Sequence, residues 1–366
     1  MVYTIREVVS FLDSIAPPAY QESYDNAQLI TGDPSARVNG ILCSLDATEA
    51  VVDEAISLGC NLIVAHHPIV FKGLKSFTGK NYVERTIVKA IKNDIAIFAI
   101  HTNLDHVAHG VNKKIADKIG LTKTKILSPK KGILNKLSTF VPSAAMEQVM
   151  TALFDAGAGK IGEYSGCSFI SKGSGTFIPS ENANPTIGRK NNPEKVPEIK
   201  IEVMFPSHLE RQIITALKKA HPYEEVAYYI HQLENENQEV GAGMVGELSN
   251  ALDEKDFLAH LKSRMNLQVI KHTSLINKPI KKVAICGGSG IFLLNAAKKS
   301  GAEIFITSDV KYHEFFDADN QIVICDIGHY ESEIFTKELL LELLSQKFTN
   351  IALYFTKIVT NPITYL

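Results

Sequence analysis

The chain has no tryptophan, and only 8% of its 366 residues are aromatic. Charge of one sign is missing too: the net charge is −2, so the basic face of a dedicated nucleic-acid binder is absent and nucleic acid is not an expected partner. No apolar run approaches the roughly 20 residues of a membrane span, so no membrane partner is expected. The start, Met1-Val2-Tyr3-Thr4-Ile5-Arg6-Glu7, lacks the pattern of a signal peptide, and a cytoplasmic location is expected. Cysteine is scarce: five residues, an odd number, with no C-x-x-C spacing. Cys43, Cys286 and Cys325 lie in strand-like runs and are expected as buried free thiols. What remains is 45% hydrophobic residues, enough for real cores in a chain of two or three domains.

Against that background one pattern recurs. The apolar run Asn61-Leu62-Ile63-Val64-Ala65 ends in His66-His67-Pro68. A second run, Ile95 to Ile100, ends in His101-Thr102-Asn103-Leu104-Asp105, and a third, Gln321 to Asp326, leads to His329-Tyr330-Glu331-Ser332-Glu333. A buried strand that delivers imidazoles or carboxylates just past its carboxyl end places them where an α/β sheet opens onto its crevice. His329 and Glu333, four apart, share a helix face with Cβ atoms roughly 5–6 Å apart. We therefore expect His66, His67, Asp105, His329 and Glu333 to form one metal site from distant parts of the chain. Mixed nitrogen and oxygen donors suit zinc, iron or manganese better than calcium.

The organisation follows from two internal duplications. Gly40 to Asp46 reads as a strand, Thr48 to Ser57 as a helix closed by Gly59, and Asn61 to Ala65 as a strand. Val283 to Cys286, Ile291 to Lys299, Gly301 and Glu303 to Thr307 repeat that order, with Cys43 opposite Cys286 and His66-His67 opposite Ser308-Asp309. Two facing βαβ halves around a shared crevice are predicted. Between them, a repeat at an offset of 64 residues matches Pro142-Ser143 with Pro206-Ser207 and Thr151-Ala152-Leu153 with Thr215-Ala216-Leu217. Each copy reads strand, helix, strand, so the insert is predicted as a ferredoxin-like βαββαβ α+β domain. The division expected is 1–130 and 238–366 as the halves of an α/β metal-binding core, with 131–237 inserted. Lys123 to Gly132 and Glu234 to Glu239 read as linkers, and Ser180 to Pro197 as a loop between the copies.

Around the metal set, His101, His106, His313 and Lys311 stand near strand ends. His101, His106 and His313 are candidates for proton transfer and Lys311 for holding an anionic substrate. Gly287-Gly288-Ser289-Gly290 reads as a turn opening a helix, whose backbone N–H groups would welcome an anion.

Ser44-Leu45-Asp46-Ala47-Thr48, Ala65-His66-His67-Pro68, His101 to Asp105, Cys286 to Gly290, Ser308 to His313 and Asp326 to Glu333 together resemble the Nif-three-like family, also described as GTP cyclohydrolase 1 type 2 homologues. The resemblance implies a dinuclear centre with ligands at the five positions above, hence two divalent ions per subunit, zinc first and iron or manganese as alternatives. It also implies self-association into a toroidal homohexamer. One stretch departs: Tyr24-Asp25-Asn26-Ala27-Gln28 stands where the family has Trp-Asp-Asn-x-Gly. Gly241 to Glu247 looks like the family's glycine-rich return into the core, and His221-Pro222-Tyr223-Glu224-Glu225 makes the insert resemble CutA-like and PII-like modules.

Five protein donors do not saturate two ions, which leaves positions open for chemistry, and water held between two such ions is activated near neutral pH. The first functional reading is therefore a metal-dependent hydrolase of a small anionic, nucleotide-like or phosphate-bearing substrate; the family label makes this opening of the guanine imidazole ring of GTP with release of formate. The second is a non-catalytic, metal-dependent regulatory assembly whose insert senses a ligand.

Overall fold

In the computed structural model, which describes residues 2–366, the chain is a mixed α/β protein whose strands form three sheets among the described residues. By compactness it divides into an outer unit, residues up to Ser128 together with Glu239–Leu366, and an inner unit, Pro129–Gln238. No helix among the described residues is long and apolar enough to cross a membrane. Cys43, Cys286 and Cys325 are buried and free, as is Cys60.

The outer unit holds two of the sheets. Across the first run Leu29–Thr31, Ala96–Ala99, Leu62–Ala65, Gly40–Ser44 and Ala352–Phe355, the last four mutually parallel. The three middle strands are buried at every residue, which is why they appear in the sequence as unbroken apolar runs. Helices Glu49–Ser57 and Tyr82–Lys92 supply Val51, Val52, Ile87 and Ala90 to a core with Leu42, Ile63 and Ile97.

Across the second sheet run Lys271–His272, Val323–Asp326, Ile304–Ser308, Ile280–Ser289, Asn237–Leu252 and Thr122–Lys130. Its parallel trio, Ile280–Ser289, Ile304–Ser308 and Val323–Asp326, has the order of Gly40–Ser44, Leu62–Ala65 and Ala96–Ala99, and each trio carries an antiparallel strand beyond its third member. Gly59 and Gly301, at φ +69° and +77°, end the first helix of each trio in the left-handed conformation that glycine adopts at no steric cost.

Three sequence expectations are corrected here. The segments 123–132 and 234–239 are not simple linkers: Thr122–Lys130 and Asn237–Leu252 are neighbouring strands of the second sheet. Thr122–Lys130 is the edge strand, where exposed lysines are compatible with pairing on one side only. The loop expected from 180 to 197 ends early, because the strand Glu194–Pro206 already pairs at Glu194 with Phe177. The glycine run is not a turn throughout: Gly287, Gly288 and Ser289 finish the strand Ile280–Ser289, and only Gly290 opens the short helix Ile291–Leu293 that leads into Leu294–Ser300.

The inner unit alternates strand Leu134–Pro142, helix Met146–Asp155, strands Phe169–Phe177 and Glu194–Pro206, helix Glu210–Ala220 and strand Tyr228–Leu233. Its sheet order is Phe169–Phe177, Glu194–Pro206, Leu134–Pro142, Tyr228–Leu233, with every neighbour antiparallel. Ile199, Ile201, Val203 and Phe205 face the helices with Leu137 and Val141, so the alternate residues lie on the opposite face.

Past His67, residues 68–81 form a long surface segment anchored by one carboxylate. Glu84, 2% exposed, accepts from the Thr78 backbone N–H at 2.9 Å, the Lys80 N–H at 3.3 Å, and the Ser76 and Thr78 hydroxyls at 3.1 Å. Burial opposes its charge, but the hydrogen bonds from Thr78, Lys80 and Ser76 prevail and hold it at about 2, below the ordinary 4.5. A depressed carboxylate stabilises the folded segment above its unfolded value and loses that contribution as pH falls through its folded value. Amide exchange at Thr78 and Lys80 should therefore accelerate as pH falls from 4.5 towards 2 relative to that of the outer-unit core. Glu84→Gln should show the faster exchange already at neutral pH; unchanged protection in that variant would remove Glu84 as the anchor.

Candidate metal centre

The parallel strands of the outer unit bring their carboxyl ends to one place. His66 and His67 follow Leu62–Ala65, Asp105 sits on the one-turn helix Thr102–His106 after Ala96–Ala99, and His329 and Glu333 span the short helix His329–Glu333 after Val323–Asp326. Glu333 is the hub. Its Oε2 lies 2.9 Å from His67 Nε2 and 3.1 Å from His329 Nε2, and its Oε1 lies 4.0 Å from His66 Nε2. Asp105 Oδ1 is 3.5 Å from His66 Nε2. Donor atoms thus gather into two overlapping sets that share Glu333: His66, Asp105 and Glu333, and His67, His329 and Glu333.

Every imidazole in the cluster has its other nitrogen taken. His66 Nδ1 is 2.8 Å from the Ile100 carbonyl, His67 Nδ1 2.7 Å from Asp46, His329 Nδ1 2.6 Å from Asp309 and His101 Nδ1 2.8 Å from Asp25. An acceptor on Nδ1 puts the proton there and leaves the Nε2 lone pair turned into the cluster, the arrangement in which histidine binds metal.

The electrostatics are those of a site suited to a cation, with protons on His67 and His329 balancing the buried carboxylate. Burial pushes His66 down to about 3 against the pull of Glu333, so it is a neutral donor. Burial also opposes charge on His67 and His329, yet Asp46 and Glu333 raise the first to about 10, and Glu333 and Asp309 raise the second to about 9. Glu333 is held well below the usual carboxylate range despite its burial, by His329 and His67. Asp105 is pushed well above that range by burial and by the charge of Glu333. His66 Nε2 and Asp105 Oδ1 are both buried with no hydrogen-bond partner. Two orphaned acceptors cost about 1–3 kcal/mol each, a cost that a cation between them removes. The donor set fits a transition metal.

The remaining sequence candidates divide. His101 joins the cluster, its ring 5.2 Å from that of His66 and grouped with His66 and His67. His313 does not; it is exposed and lies against Tyr312 and Phe316. His106 is turned away, with Nδ1 on the Tyr20 carbonyl at 2.8 Å. Lys311 is exposed beside Asp309 in sequence and belongs to none of the donor sets. The glycine run makes no anion cradle: the Gly287, Gly288 and Gly290 N–H groups donate to Asn112, Ser332 and Thr307. A Cβ at Gly288, whose φ is +61°, would collide with Glu333 Oε1, so glycine there makes room for the hub carboxylate.

A model of the Duf34/NIF3 (NGG1p interacting factor 3) family matches residues 3–362. The chain belongs to this family. It is 36% identical over 366 residues, 99% of its length and 98% of the relative's, to a Bacillus subtilis protein named GTP cyclohydrolase 1 type 2 homolog. Among solved structures it resembles a Bacillus cereus protein related to NIF3, with TM-score 0.87, 36% identity and all of both chains covered. A Staphylococcus aureus protein matches with TM-score 0.80 and 32% identity over 100% of this chain and 99% of its own.

Sequence reasoning assigned no role to Asp46, Asp309 and Asp25, the three carboxylates that brace the imidazoles. Asp46 and Asp309 each follow a buried strand, after Gly40–Ser44 and Ile304–Ser308, so the rule that found the histidines also reaches them. Asp25 lies in the departing stretch beside Tyr24 and follows no strand that would point to it.

Proposed function

We propose that this protein is a dinuclear-metal hydrolase of a nucleotide-like or phosphate-bearing substrate. The observation that carries the reading is the orphaned pair His66 Nε2 and Asp105 Oδ1 beside a carboxylate that faces two donor sets. His66 and Asp105 with Glu333 would hold one ion, and His67 and His329 with Glu333 the other, zinc, iron or manganese by donor chemistry. When bound, such ions supply Lewis acidity and an activated water, and three protein donors apiece leave room for substrate.

The chain's own residues supply the rest. Asp25 fixes the proton of His101 on Nδ1, which leaves Nε2 to take or return a proton at the cluster. Phe71, half exposed, sets its ring 5.8 Å from His101 and edge-on to it, an apolar wall against which a planar base would lie. The relatives' name makes GTP the first substrate to try. We read the inner unit as an inserted ferredoxin-like domain, supported by its strand–helix–strand–strand–helix–strand order, and carry a homohexamer as part of the same proposal, on the family resemblance.

The test is turnover of GTP, other nucleoside triphosphates and p-nitrophenyl phosphate by zinc-, iron- or manganese-loaded protein. Turnover should vanish with chelator and return with metal, and His101→Asn should lower kcat by about 10²–10⁴-fold at unchanged metal content. A fully metallated protein that turns over none of these substrates, or activity indifferent to chelator, overturns the proposal.

A further inference from the structure

The inner unit carries a cavity of about 580 Å³ on the sheet face opposite its helices. Two aromatic pairs flank it: Phe140 with Tyr229, ring centroids 5.9 Å apart, and Phe177 with Tyr223, 6.4 Å apart. Residues 178–187 roof it, tied down where the Asn184 N–H donates to Glu224 at 2.8 Å and the Thr186 hydroxyl to the Pro222 carbonyl at 2.8 Å. The HPYEE run singled out in the sequence therefore builds one wall.

At the cavity stands Glu198, only 8% exposed. Its Oε1 accepts from the Tyr223 hydroxyl at 2.9 Å, while Oε2 has no donor or cation against it among the described residues. Burial and Glu198 together push the Tyr223 phenol up to about 12, so it remains a donor. Gly175 leaves space for the carboxylate, since a Cβ there would collide with Oε2. With Oε1 held by Tyr223 and the residue lining the cavity, the carboxylate presents its second oxygen to a cation that enters.

No lysine or arginine lines the cavity, whereas Glu198, Glu224 and Glu225 do, so an anion is disfavoured. A bare metal ion is poorly served as well. Calcium takes six to eight oxygens, and Glu224 Oε2 is already engaged. His221 offers no ligand either, because Nε2 is 2.9 Å from the Phe140 carbonyl and Nδ1 accepts from the Tyr223 N–H at 3.1 Å. Aromatic rings around one buried carboxylate match an ammonium group carried on an apolar body.

We propose that this cavity binds a small organic cation, a protonated amine on an aromatic or apolar body, with Glu198 Oε2 taking the ammonium and the four rings enclosing the body.

The test titrates the full chain with phenethylammonium chloride and with 2-phenylethanol, its neutral counterpart, and follows backbone amide shifts in 174–187 and at Tyr223 and Tyr229. The ammonium should bind tighter than the alcohol by about tenfold or more. Glu198→Gln keeps an acceptor for Tyr223 and should erase that preference, and Gly175→Ala, which displaces the carboxylate, should weaken the ammonium. The wild-type comparison needs no variant, so a folding failure in either does not shield the proposal. Equal affinity for the two probes, a preference that survives Glu198→Gln, or no saturable response to the ammonium overturns it. Calcium alone shifting the same amides through Glu198 while the ammonium is silent overturns it in favour of a metal site.

Discussion

Glu333→Gln is expected to empty both halves of the centre, whereas Asp105→Asn should empty one. The reason is geometric: Glu333 Oε2 faces His67 and His329 while Oε1 faces His66, so a single carboxylate serves both donor sets, and Asp105 serves only the set of His66. Protein purified without chelator should carry about two ions per chain, Asp105→Asn about one, and Glu333→Gln well below one. Elemental analysis checks the numbers, and circular dichroism checks that each variant is folded. Equal metal content in the two variants would show that the centre is not divided as described, and full occupancy in Glu333→Gln would remove Glu333 from the ligand set.

The second large effect is expected from a residue that touches no ion. Asp309 holds His329 Nδ1 at 2.6 Å, so Asp309→Ala should free the ring to turn and change its tautomer. Loss of such a partner weakens metal binding by about 10–100-fold, which competition with a chromogenic chelator measures. Asp309 is exposed but has φ +57°, which alanine adopts at a cost, so Asp309→Gly, which also removes the carboxylate and meets no such strain, should show the same loss. His313→Ala, four residues on and outside the cluster, is the control and should bind metal as the wild type does. If Asp309→Ala retains wild-type affinity, the orientation of His329 is set by the helix His329–Glu333 alone.

The legible part of this site was the part written as contrast. Imidazoles next to Leu62–Ala65 stand out because a strand buried at every residue tolerates nothing polar until it ends. Glu333 was legible through its spacing from His329. Asp46 and Asp309 were not, since an aspartate after a strand is also the ordinary way to start a turn or a helix. The glycine run was legible at Gly290, where the helix starts, but not at Gly287 and Gly288: glycine marks a turn and marks a strand that must admit another side chain, and only the position of Glu333 beside Gly288 separates the two. Thr122–Lys130 misled because its partner, Asn237–Leu252, lies more than a hundred residues later, beyond the reach of any local pattern. The cavity roofed by 178–187 was illegible altogether, because the burial of Glu198 depends on a segment whose own composition reads as solvated loop.

Asp105 and His329 are separated by about 220 residues of chain, and an unfolded polymer closes a loop of that length at an entropic cost of about 5 kcal/mol before any ligand is gained. Denatured chains therefore hold fragments of the donor set, His66 with His67 or His329 with Glu333, but never the whole of it. An ion that requires donors from both ends would bind the native state alone and would stabilise the outer unit by an amount that grows with the free-ion concentration relative to its dissociation constant. Metal supply would then act as a thermostat on the fold: on the reading proposed above, a shortage of the ion is expected to lower the population of intact outer unit as well as the occupancy of its centre.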